Sequence, residues 1–146
     1  MALEDFTDSG YKSVWRGGNY AVKWFQAGDG NMKAGLIAEY DDADEIKILT
    51  ADTGLPFGVV GDLPTVDLDT AISAGSSLYI FLRGSGARVT MAHDDTVEAL
   101  TAGMLVETGT VAGTCFKQAA AGIITAGIVM KGLAAAADKF VPEVMI

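Results

Sequence analysis

Apolar residues in this chain come in short runs broken by glycine, and the runs are rich in β-branched and aromatic side chains. Leu36-Ile37-Ala38-Glu39-Tyr40, Glu45-Ile46-Lys47-Ile48-Leu49, Phe57-Gly58-Val59-Val60 and Ser77-Leu78-Tyr79-Ile80-Phe81-Leu82 read as strands. So do Arg88-Val89-Thr90-Met91, Met104-Leu105-Val106-Glu107, Cys115-Phe116-Lys117, Ile128-Val129-Met130 and the terminal run from Phe140 to Ile146. Short strands separated by turn residues at roughly 8–12-residue spacing predict a sandwich or barrel. The expected fold is therefore all-β, a small sandwich or partly open barrel. Pro56 and Pro64 bracket Phe57-Gly58-Val59-Val60-Gly61 and keep that strand short, because proline donates nothing to a ladder.

Helical patterning is thin. Asp94 to Leu100 suits one helical turn with acids at its favourable N-terminal end. Leu133 to Asp138 is alanine-rich, yet it leads straight into the terminal strand and reads equally well as a connection. Gly84-Ser85-Gly86 has the composition of a hairpin turn.

Two segments echo each other. Ala34-Gly35-Leu36-Ile37-Ala38-Glu39 returns as Ala102-Gly103-Met104-Leu105-Val106-Glu107, and each copy is followed by a glycine-led apolar run. The shared pattern is a glycine turn that launches a strand ending at a solvent-facing glutamate. An old duplication and convergent strand chemistry account for it equally well.

The start of the chain has a different character. Phe6, Tyr11, Trp15, Tyr20, Trp24 and Phe25 bring both tryptophans and half the aromatics into the first 32 residues, interleaved with five glycines. Only Tyr20, Val22 and Trp24 alternate as a strand would. Large rings on a glycine-broken segment suit an extended N-terminal arm that docks on a partner, since Trp and Tyr supply much of the energy at interfaces. Packing of the arm on its own domain is the plainer alternative. The expected organisation is thus an arm over 1–32 and a β-rich domain over 33–146. Phe6, Tyr11, Trp15, Arg16, Tyr20, Trp24 and Phe25 are the candidate docking residues.

Composition narrows the function. The 146 residues suit one domain, and half of them are hydrophobic, enough for a core. The formal charge of −9 is concentrated between Glu39 and Asp69, where Lys47 is the only base. Such a field repels phosphate backbones and argues against a nucleic-acid partner. Asp41, Asp42, Asp44 and Glu45 read as solvated acids. No run of about 18 apolar residues suggests a membrane span, and the acidic start does not resemble a secretory leader. Use inside the producing cell's cytosol is the expectation.

Chemistry is hard to find. His93 is the only histidine and no Gly-x-Ser-x-Gly elbow accompanies it. The single Cys115 cannot form an internal disulfide and reads as a small buried hydrophobe. A calcium loop counted from Asp42 puts Lys47 where glycine is required, and one Cys with one His gives no zinc spacing. Gly28-Asp29-Gly30 carries an acid where a phosphate would approach. No catalytic residue, metal or cofactor is expected.

The chain from Lys33 onward resembles the capsid decoration, or cement, proteins of tailed phages. The residues that carry the resemblance are Lys33 to Glu39, Pro56 to Gly61, Leu68-Asp69-Thr70-Ala71, Ala74 to Tyr79, Leu100 to Glu107, and Gly122 to Val129. The resemblance implies a subunit on the outer surface of an icosahedral virion, made in the host cytoplasm. Its partners would be the major capsid protein and further copies of itself, commonly as a trimer about a local three-fold axis. The aromatic start is longer than that family leads one to expect. A virion spike or receptor-binding module contacting the host surface is the alternative, and an accessory β-barrel subunit in the cell is a third.

Overall fold

A computed structural model describes residues 14–62, 70–94, 99–118, 125–132 and 143–146. Over these residues the chain is all-β, with no helix. Its strands are β1 (Trp15–Gly18), β2 (Val22–Ala27), β3 (Ile37–Asp42), β4 (Glu45–Ile48), β5 (Gly58–Val60) and β6 (Ser77–Leu82). They continue with β7 (Ala87–Thr90), β8 (Leu105–Thr108), β9 (Cys115–Lys117), β10 (Gly127–Lys131) and β11 (Glu143–Met145). Most of Asp94 to Leu100 and all of Leu133 to Asp138, the two helical candidates, lie outside the described residues.

The strands form a closed five-stranded barrel, β2-β4-β3-β5-β6, and a six-stranded open sheet, β1-β7-β11-β10-β8-β9. Period-two alternation divides β2, β3, β5 and β6 between two cores, while β4 turns Ile46 and Ile48 to the barrel alone. Leu78 and Ile80 of β6 fill the barrel with Phe25, Ala27, Ala38, Ile46 and Val60. Their neighbours Tyr79 and Phe81 face the second core, where Ile37 and Val59 meet Val89, Val106, Val129 and Val144 of the sheet. A strand buried on both faces needs an unbroken apolar run, which is what β6 supplies.

The sequence echo marks a repeated device, which occurs four times among the described residues. Lys33–Leu36, Ser73–Ser76, Thr101–Met104 and Val111–Thr114 are each closed by an amide-to-carbonyl bond of 3.1–3.2 Å from fourth residue to first. Each has Ala second and a glycine third, with φ of 87°, 81°, 91° and 78° in chain order. Positive φ at the third place alone is type II geometry. Three of these turns clasp a neighbouring strand in the same way. The Gly35, Gly75 and Gly103 amides donate to Val60, Ala27 and Val129, whose own amides donate back to Leu36, Ser76 and Met104. A Cβ at Gly75 or Gly103 would meet nothing within 4 Å, so glycine is required there for its conformation, not for space.

Two expectations need correction. Gly84-Ser85-Gly86 forms a turn, but β6 and β7 do not pair. The turn is a corner that carries the chain from the barrel to the sheet, because each flanking strand is already hydrogen-bonded within its own layer. Within residues 14–32 of the expected arm, Trp15–Gly18 and Val22–Ala27 are paired strands. β1 adds to the sheet through β7, and β2 pairs with β6 from Val22↔Phe81 to Gln26↔Ser77 and in parallel with β4. Over its described part the segment belongs to the β-rich body, and β2 is what closes the barrel.

Candidate docking surface

Of the candidate docking residues, Phe6 and Tyr11 lie outside the described residues. Phe25 is 4% exposed and packs inside the barrel, so it is a core residue and not an anchor. The reason is strand parity: Phe25 and Ala27 share the interior face of β2, and Trp24 takes the other. Trp15, Tyr20 and Trp24 are 38%, 60% and 58% exposed, and Arg16 is exposed beside Trp15.

These three rings belong to one aromatic string. Trp15 meets Tyr20 edge-on at 5.5 Å between centroids, and Tyr20 meets Phe81 at 5.3 Å. Phe81 meets Tyr79 at 5.6 Å, and Tyr79 meets Trp24 at 5.3 Å. Tyr20 and Trp24 are therefore seated on buried rings, and Trp15 rests on Tyr20. Edge-to-face pairs at such distances contribute about 0.5–1.5 kcal/mol each beyond burial. Tyr79 is fixed in turn, its hydroxyl donating to the Asp62 carbonyl at 2.6 Å and Gly61 lying against its ring. Burial first, and then the Asp62 charge, hold its phenol above the ordinary range. Beneath Trp24 lies an open depression of about 390 Å³ lined by Phe25, Gln26, Ala43, Asp44 and Ser77.

A second surface feature escaped sequence reasoning. Tyr40 and Leu55, 51% and 62% exposed, flank a cleft of about 460 Å³ whose walls include Glu39, Thr50, Pro56 and Phe57. The Glu39 carboxylate accepts bonds from the Thr50 amide and hydroxyl, both at 3.0 Å. Lys47 Nζ stands 3.3 Å from Glu39 and from Asp41, which raises the lysine's pKa chiefly through the Asp41 hydrogen bond. The signal was Leu-Pro-Phe following an exposed Tyr on an acidic strand. Asp41, Asp42 and Asp44 are exposed and Glu45 is half-buried.

The candidate reactive groups sit in structural roles. Cys115 is fully buried, and burial, then the Asp94 charge, push its thiol far above the range in which a thiolate forms at neutral pH. His93 Nδ1 lies 2.7 Å from the Asp94 carbonyl, and both residues are buried. Asp94 Oδ2 accepts from the Thr110 amide at 2.9 Å and its hydroxyl at 3.0 Å, clamping the loop between β8 and β9. Among the described residues no group of three His, Cys, Asp or Glu side chains could hold a metal ion.

Comparison with protein-family models finds no matching family, and comparison with curated proteins finds no match.

Proposed function

We propose that this chain is a structural virion subunit that binds the outer surface of an icosahedral capsid and stabilises joints between major capsid subunits. The carrying observation is that Trp15, Tyr20 and Trp24, all partly or largely exposed, share one string backed by the buried rings of Tyr79 and Phe81. Rings held this way lose little freedom on docking, which favours association. The resemblance from Lys33 onward to tailed-phage decoration proteins points the same way. It brings the expectation of a homotrimer around local three-fold axes, where linked copies raise effective concentration. On this reading the subunit works by shape and contact area, with no catalytic step.

Co-sedimentation with undecorated capsids tests the proposal. Deleting residues 1–31 would remove β1 and β2 and open the barrel, so side-chain replacement is the cleaner perturbation. The native chain should pellet at a fixed ratio to capsid subunits. Trp15→Ala/Tyr20→Ala/Trp24→Ala should reduce binding at least about 30-fold, the equivalent of one interface anchor of about 2 kcal/mol. A native chain that stays in the supernatant refutes the proposal.

A second reading, a spike module contacting the host surface, draws on the Tyr40–Leu55 cleft. Its volume and its mix of apolar walls with a fixed carboxylate suit a ligand pocket. Particles whose subunits carry Tyr40→Ala would then assemble normally and adsorb poorly.

A further inference from the structure

Acidic and basic residues are segregated in this molecule. No acid occurs from Ser9 to Gly28, nor from Thr70 to Ala92. These two stretches hold Lys12, Arg16, Lys23, Arg83 and Arg88, half of the chain's ten cations. The fold pairs them with each other, β2 with β6 and β1 with β7. Four adjoining strands and the 83–86 corner thus form a flank without a carboxylate of its own, in a protein of formal charge −9. Its margins carry acids: Asp62 accepts the Val14 amide at 3.0 Å, Asp44 lines the depression at Trp24, Glu45 of β4 stands opposite Gln26, and Glu143 of β11 stands opposite Thr90. On the adjoining β3–β4 corner Asp41, Asp42, Asp44 and Glu45 stand with Lys47, which is already tied to Glu39 and Asp41.

The exposed rings lie on this acid-free flank. Arg16 and Arg83 are exposed there, Arg83 with Nε donating to the Thr125 carbonyl at 2.8 Å, while Lys23, its ammonium 5.2 Å from the Phe25 ring, lies on the opposite face of β2 from Trp24. Salt screens exposed charges beyond about 8 Å at physiological ionic strength, so a docked surface meets the local cations and not the net charge. Among the described residues β1 is also a terminal strand of the open sheet, which places the flank at an edge of that sheet.

We infer that the β1–β2–β6–β7 flank docks on an acidic protein surface, the aromatic string covering apolar ground while Arg16 and Arg83 meet carboxylates. The inference rests on the docking surface proposed above and names the chemistry of its partner. A protein fits better than nucleic acid. Nucleic-acid affinity grows with the number of phosphates neutralised, whereas these cations are few and the exposed rings large.

The test is binding of the full chain to three immobilised probes: a random Glu-Tyr copolymer, a Lys-Tyr copolymer and a single-stranded DNA oligonucleotide. The Glu-Tyr copolymer should bind best, and raising salt from low to high should weaken it about tenfold or more. Arg16→Glu/Arg83→Glu should lower that binding at least tenfold, and Asp41→Asn/Asp42→Asn should leave it equal or stronger. If the double reversal fails to fold, judged by its thermal transition, Arg16→Gln/Arg83→Gln takes its place with an expected loss of severalfold. Preference for the Lys-Tyr copolymer or the oligonucleotide, no binding at all, or reversal variants that bind as well as the native chain would each overturn the inference. Loss of copolymer selectivity with intact capsid pelleting refutes the charge assignment alone. Intact selectivity without capsid pelleting refutes the virion reading alone.

Discussion

The two edges of the open sheet are treated differently. At β9 the chain covers its own edge: the Cys115 amide donates to Ala92 at 2.8 Å, and the Asp94 amide donates to the Cys115 carbonyl at 2.9 Å. A parallel bridge between His93 and Cys115 marks this contact, and the Asp94–Thr110 bonds hold the adjoining loop in place. At β1 the strand is short, shifts register between Trp15 and Gly17, and carries an exposed Trp and Arg. His93 and Asp94 at the β9 edge are buried and polar, whereas β1 exposes Trp15 and Arg16. An edge covered by its own chain is closed to partners, whereas an irregular edge flanked by seated rings discourages indiscriminate strand pairing and, on the reading proposed above, serves as the docking surface. The barrel has no edge, and its role is to hold Tyr79 and Phe81 where the exposed rings can rest on them.

Four perturbations would break or sharpen this contrast. Phe81→Ala strikes the buried support of the string and should cost about 3–5 kcal/mol in urea unfolding. It should also loosen Tyr20, so binding and stability fall together. The covered edge should respond to alkali. The Cys115 thiol has its pKa raised in the folded chain, so the unfolded chain, with a pKa near 9.0, releases its proton first. Stability present below that pH is then lost as pH rises above it, at roughly 1.4 kcal/mol per pH unit for one fully shifted group. Cys115→Ala should flatten that slope in unfolding measured from pH 8 to 11. Gly103→Ala places a Cβ in open space but at φ of 91° and should cost roughly 1–2 kcal/mol, read from the thermal transition. Smallest in stability is Trp24→Ala, expected within about 1 kcal/mol of the native chain while capsid binding drops severalfold or more. Equal effects of Phe81→Ala and Trp24→Ala on stability would erase the distinction between support and anchor.

Much of the fold was legible because its strands are short apolar runs. β6 and β9 lie where the pattern puts them, and β3, β4, β5, β7, β8, β10 and β11 overlap their expected runs. β1 was not legible: Trp-Arg-Gly-Gly reads locally as a break, and only its pairing with β7 makes it a strand. The same holds for barrel closure, which depends on the parallel contact of β2 with β4, across some twenty residues of chain, as Gln26↔Glu45. Trp15, Tyr20 and Trp24 could be picked out by residue type, but their union runs through Tyr79 and Phe81, more than fifty residues away. Phe25 was within reach of the pattern, since the alternation of Tyr20, Val22 and Trp24 already puts it on the opposite face. The echo at Gly35 and Gly103 pointed to a repeated turn, and the Ala-Gly pairs at 74–75 and 112–113 carry the same mark.

The most direct test of the docking surface is hydroxyl-radical footprinting of the native chain, free and bound to undecorated capsids. Trp15, Tyr20 and Trp24 should lose most of their oxidation on binding, and Tyr40, equally exposed but in the separate cleft, should keep its own. Protection of Tyr40 with the three string residues still oxidised would contradict the account and move the docking face to the cleft.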